Sequence, residues 1–248
     1  MGLIQGGNIT EAFVLFGSQH FIALTAIFII AVGPAIILRQ IKNPSLNRIF
    51  ALTLAMIMIV YTTFKHLYGI FGLGEPWQIW LPLHMCHISN FFLIYLLLSG
   101  KRGFLVEVTY FWTFAGASMA LITPDLALGW PDPNYIMFMV THGLLLLAQL
   151  YFVVTEGLRP TVASIWRVFK FSLAGLIIIL PLNYLIGPLA NYWYLRAPPV
   201  SGSLMDFLPA PPGHIPFVVL LAYVAFWIVY SPYLLKDLVI RDVEVESG

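Results

Sequence analysis

Seven stretches of largely apolar residues fill this chain, at roughly 19–38, 48–72, 78–98, 104–122, 134–155, 165–187 and 214–235. About 20 such residues carry a helix across the hydrocarbon of a bilayer. Backbone amides in lipid must be satisfied within the protein, which leaves helices or closed barrels. These windows are too long and too continuously apolar for barrel strands. The expectation is an all-α, polytopic membrane protein of seven transmembrane helices, forming a single domain over residues 1–248. With 60% hydrophobic residues, 9% charged residues and a mean hydropathy of +0.90, the bulk of the chain must lie in lipid. The connections carry Pro, Gly, Asn or Ser as turn chemistry requires, and no internal repeat is visible.

The cations set an orientation. Arg39, Lys42, Arg48, Lys101, Arg102, Arg159, Arg167, Lys170, Lys236 and Arg241 fall in or around odd-numbered connections or in the carboxyl-terminal tail, which the positive-inside rule places in the cytoplasm. Arg196 lies on the other side with Glu11, Glu75, Asp125, Asp132 and Asp206, and Lys65 lies within the second window. The amino terminus is therefore expected outside and the carboxyl terminus in the cytoplasm. "MGLIQGGNITEAF" has no Lys or Arg and has Gly6 where a myristoylation motif wants Ser or Thr, so Met1 is read as the mature start. A net charge of +1 gives no basic footprint, and nucleic acid is not an expected partner.

This topology puts all six histidines in the outer half. Cys86 and His142 should each lie about 12 Å below the outer end of their helices, with Lys65 and His66 at a similar depth. Ionisable groups at membrane depth usually face a bundle interior or a wet cavity, which points to a polar cavity opening outward. The plainer alternative is that each pairs with a neighbour and joins helices. His84 and His87 share a face of the third helix, and Cys86 and Asn90 share the neighbouring one. Pro82 deprives the Gln78 carbonyl of its donor, predicting a kink, as Pro181 does for Ile177 near Asn183. The alternative is that these prolines only shape packing.

A thiol attacks as the thiolate, and an imidazole can take its proton. Cys86 with His142, or with a histidine of its own helix, supplies a nucleophile able to carry an acyl group as a thioester. Lys65 can favour the thiolate or hold a phosphate head group, and Asn183 can donate to an oxyanion. A metal site on His66, His84, Cys86, His87 and His142 is a rival reading, although neither HExxH nor paired cysteines occur. No metal and no cofactor is expected. A channel or transporter is a third class, opposed by the lack of charge in the cores of the fourth and sixth windows and of matching groups in the cytoplasmic half. In "FAGASMA", Gly116 and Ala120 have the small-xxx-small spacing that lets helices approach within the bundle. Trp77, Trp80, Trp130, Trp193, Tyr135, Tyr192 and Tyr194 read as an aromatic belt at the outer boundary.

"LPLHMC" in the third window, "TPDL" before the fifth, "THG" within it and "NYLIGPLANYWYL" after the sixth resemble, in this order, the YwaF family of bacterial membrane proteins, related to animal transmembrane protein 164. The animal relative is regarded as an acyltransferase on ether phospholipids that uses a cysteine and a histidine on separate helices. The resemblance places those two roles on Cys86 and His142 and brings in Asp125 of "TPDL", to orient a histidine or cap a turn. Where bacterial members often have Arg after the cysteine, this chain has His87. The expected function is lipid-modifying acyl transfer in the bacterial inner membrane, with membrane lipids as substrate, catalysed by Cys86 and His142. Lys65, His66, His84, His87, Asn90, Asp125 and Asn183 would support it. The alternative is a non-enzymatic protein of the same architecture that binds a lipid or small ligand, or a proton-coupled transporter.

Overall fold

The computed structural model describes residues 3–5, 8–199 and 204–246. A short antiparallel ribbon, β1 (Leu3–Gln5) and β2 (Asn8–Thr10), leads into helices. These are α1 (Ser18–Ile41), α2 (Pro44–Gly72), the single turn α3 (Trp77–Trp80), α4 (Met85–Ser99), α5 (Phe104–Ile122), α6 (Pro133–Thr155), α7 (Val162–Ile186) and α8 (Ile215–Glu246). Among the described residues, six of them (α1, α2, α5, α6, α7 and α8) are long and apolar enough to cross a membrane, and α4 is a shorter apolar helix of 15 residues.

Local chemistry explains the boundaries. Asn43 caps α2 by accepting from the amides of Ser45 and Leu46, with Pro44 at the first helical position where its missing N–H costs nothing. Asp132 and Pro133 repeat the device on α6, and Thr161 with Ser164 forms a capping box on α7. The cap on α2 corrects the expected start of the second window at residue 48. Only Lys42 and Asn43 separate α1 from α2, and Lys42 makes the turn in the left-handed region at φ 52°. Helix α7 runs unbroken through Pro181.

Helix α1 packs along α6, α2 against α4, α4 also against α5 and α6, and α7 against α8. The largest apolar cluster joins Leu38, Met58, Leu93, Leu97, Leu145 and Phe152 among others, so α1, α2, α4 and α6 share one core. Close approach is mediated by glycines other than the expected one. A Cβ on Gly69 would lie 2.1 Å from the Trp80 ring, and one on Gly175 2.5 Å from that of Trp193. Gly116 instead faces open space and is exposed, so the small-residue pair of α5 brings no helix close within this bundle.

Candidate functional site

Cys86 does not lie in the middle of a kinked helix. Leu81 (φ −62°, ψ 139°) and His84 (φ −64°, ψ 149°) are extended, and helical structure resumes only at Met85. The ring of Pro82 clashes with a helical residue before it and drives Leu81 out of the α region, so the expected third helix is broken into α3 and α4. The break makes Cys86 the second residue of a 15-residue helix, half-buried, in the first turn of that helix. Unpaired amides at a helix amino terminus are where anionic charge is stabilised.

Lys65 joins three helices at this level. The residue is 6% exposed, and its ammonium donates to His87 Nε2 at 3.0 Å and to Thr141 Oγ1 at 3.3 Å, tying α2 to α4 and α6. The Thr141 hydroxyl donates in turn to the Met137 carbonyl at 2.6 Å. Lys65 is close enough to Cys86 and His142 for their charges to interact. Asn90 donates to Thr62 Oγ1 at 2.9 Å, a second polar tie between α4 and α2.

Four of the six histidines gather here. His142 Nδ1 is 2.8 Å from the Phe138 carbonyl and His66 Nδ1 is 2.7 Å from that of Thr62. A carbonyl only accepts, so each neutral ring carries its proton on Nδ1 and keeps the Nε2 lone pair. The His66 Nε2 is buried without a partner. Because His87 Nε2 accepts from Lys65, its proton is on Nδ1, which is also buried and unpaired. The rings form an edge-to-face file, His66 to His87 at 5.2 Å and His87 to His84 at 5.9 Å. The remaining two are structural. His20 links the amide of Phe16 to the carbonyl of Leu121, and His214 donates to the Tyr194 carbonyl. Among the described residues, no three His, Cys, Asp or Glu side chains converge as a metal-ligand set.

The segment after α7 closes over this cluster, which corrects the reading of its aromatic residues as a lipid-facing belt. Tyr192 is 1% exposed and donates to the Gln78 carbonyl at 2.5 Å, and its ring meets that of His84 at 4.9 Å. Trp193 Nε1 donates to the Leu83 carbonyl at 2.8 Å, and the Tyr194 hydroxyl reaches Asp125 Oδ2 at 3.3 Å. Trp193 and Tyr194 both have positive φ, 60° and 53°, a conformation costly for aromatic side chains. Outside the helices, burial and then the Asp125 carboxylate hold the Tyr194 phenol protonated well above its ordinary range. Tyr135 is likewise buried and bonded, to the Gln19 carbonyl, whereas Trp77 and Trp130 are exposed as a belt requires.

Both polar atoms of Asn183 are engaged by the backbone. It is wholly buried, accepts from the Tyr192 amide at 2.7 Å and donates to the Tyr192 carbonyl at 2.9 Å. Its function in this fold is to hold the 192–194 segment in place. Arg196 assists by donating to the carbonyls of Asn183, Gly187 and Ala190 at the end of α7. Sequence reasoning missed Thr141, Thr62 and Tyr194. The first lies beside His142 in "THG", and only packing reveals the other two. It also missed Gln149 of α6, buried with both amide atoms unpaired, and the unpaired hydroxyls of Ser89 and Thr113.

The fold and the site together define a multi-pass helical membrane protein with a polar cluster of Lys, Cys and His set near one end of its bundle. The chain belongs to the TMEM164 family, whose model matches residues 15–230 and so includes every helix except the second half of α8. Comparison with curated proteins and with solved structures gives no match.

Proposed function

We propose that this protein is an acyltransferase acting on phospholipid acyl chains, with Cys86 as nucleophile and His142 as base. The observation that carries the reading is the position of Cys86 at the start of α4, next to His87, which accepts from the Lys65 ammonium. Membership of the TMEM164 family agrees with it. In the first step the Cys86 proton passes to His142 Nε2 and the sulfur attacks an ester carbonyl. The C–O bond breaks, the acyl group remains on sulfur as a thioester, and the departing alkoxide takes the proton from His142. In the second, an acceptor hydroxyl gives its proton to His142 and attacks the thioester. The C–S bond breaks, and the sulfur regains the proton. Lys65 and His87 hold the cluster, and His66, His84 and Asp125 shape its polar wall.

The accompanying topology is seven crossings with the amino terminus outside, the carboxyl terminus cytoplasmic and the site toward the outer leaflet of a bacterial inner membrane. Ten cations at the opposite end support the orientation. Helix α4 rises about 22 Å, and it is preceded by a turn at Leu81–His84 and the single helical turn α3.

The test is intact-mass measurement of protein reconstituted with phospholipid. An acyl adduct on the wild type, absent in Cys86→Ser, and loss of acyl transfer in Cys86→Ser and His142→Ala are expected. Transfer retained by both variants, or no adduct with any phospholipid, refutes the proposal. One observation favours a second reading as a proton-coupled transporter: Ser89, Thr113 and Gln149 add unpaired polar groups to the interior. Proton flux into proteoliposomes that survives Cys86→Ser and is lost in Gln149→Leu would establish it.

A further inference from the structure

The end of the bundle opposite Cys86 has its own cavity, of about 490 Å³, between the carboxyl ends of α1, α4 and α6 and the start of α2. Its charge is one-sided. Arg39, Lys42, Arg48 and Arg102 line it against the single acid Glu156. Two of the cations are committed. Arg48 donates to the carbonyls of Leu97 at 2.7 Å and Leu98 at 2.6 Å, satisfying the end of α4, and Arg102 pairs with Glu156, which also accepts from the Tyr151 hydroxyl at 2.9 Å. Arg39 and Lys42 have no side-chain partner among the described residues. The deeper walls are apolar, from Leu38, Ala51, Leu96, Leu97 and Phe152.

A cavity with apolar walls and a surplus of unpaired cations, at the level where helices leave the membrane, matches a phosphate joined to a hydrophobic body. Basic pockets between transmembrane helices on the cytoplasmic side take anionic head groups in this way, and roughly 300–1,000 Å³ is the usual size of a small-molecule site. We propose that this cavity binds the phosphate of an anionic phospholipid through Arg39 and Lys42, with the lipid glycerol and upper acyl chain against the apolar wall. The site is independent of the chemistry at Cys86, and its occupant is a resident lipid rather than the substrate.

The experiment is native mass spectrometry of the full-length protein in detergent, titrated separately with phosphatidylglycerol, phosphatidylcholine and inorganic phosphate. Phosphatidylglycerol should be retained over phosphatidylcholine. At about fivefold in affinity per cation near the membrane surface, Arg39→Gln/Lys42→Gln should weaken it by about 25-fold. Lys170→Gln, an exposed cation at the same end but outside the cavity, should leave it unchanged. If the double variant fails to fold, Arg39→Gln alone should show the fivefold loss with an unaltered melting temperature. Equal retention of the two lipids, or binding insensitive to both substitutions, overturns the proposal. Saturation by inorganic phosphate with no preference for phosphatidylglycerol overturns the lipid as source and leaves a free-phosphate site.

Discussion

Replacing Asn183 with Leu separates two roles that the same residue can hold in a site of this kind. In the structure, the Asn183 side chain spends both of its polar atoms on the backbone of Tyr192, at 2.7 and 2.9 Å, in a position with no exposure. Leucine is close in volume, so the substitution opens little cavity, but it leaves one amide and one carbonyl of Tyr192 without partners. A buried group so orphaned costs about 1–3 kcal/mol. The lower bound for the pair is therefore about 2 kcal/mol, which lowers the melting temperature of a chain this size by about 4 °C or more. The loss falls on the segment that carries Trp193 and Tyr194 over His84, so the Trp193 environment should also change. Thermal unfolding in detergent followed by tryptophan fluorescence reads both. A melting temperature unchanged within a degree or so, with acyl transfer lost, would refute the argument and return Asn183 to the role of an oxyanion donor.

Cys86 is the single cysteine, so alkylation by iodoacetamide reports one site; Lys65→Met should slow the reaction severalfold and Lys65→Arg should restore part of it. Gly69→Ala puts a methyl group 2.1 Å from the Trp80 ring and should cost about 1–3 kcal/mol in unfolding experiments, with a shifted tryptophan emission. A raised Tyr194 pKa stabilises the fold fully below the ordinary phenol value near 10 and progressively less as pH rises above it, because the unfolded chain ionises first. Melting temperature should therefore fall above about pH 10, and Tyr194→Phe should flatten that fall.

Sequence alone determined the helical membrane class, because it depends on a local quantity: apolar length fixes what can cross a bilayer. The helix starts at Asn43–Pro44 and Asp132–Pro133 are set by caps that act within one turn, which apolar length does not record. Sequence also singled out Cys86, His142 and Lys65, since ionisable groups within apolar windows stand out by their cost in lipid. The roles of neighbouring groups were decided only by the tertiary structure. Pro82 was read as a kink, but the helix breaks there, and Tyr192 and Trp193 take up the carbonyls of Gln78 and Leu83 that α3 and the following turn leave free. Asn183 became a fastening for Tyr192 and Thr141 a partner of Lys65 because hydrogen bonds between segments 9 and 76 residues apart depend on how helices pack. No periodicity in a single chain records such a distance. The position of Cys86 at the start of α4 is the feature that both levels share: the sequence supplied the proline and the thiol, and the packing of the 192–194 segment gave them their geometry.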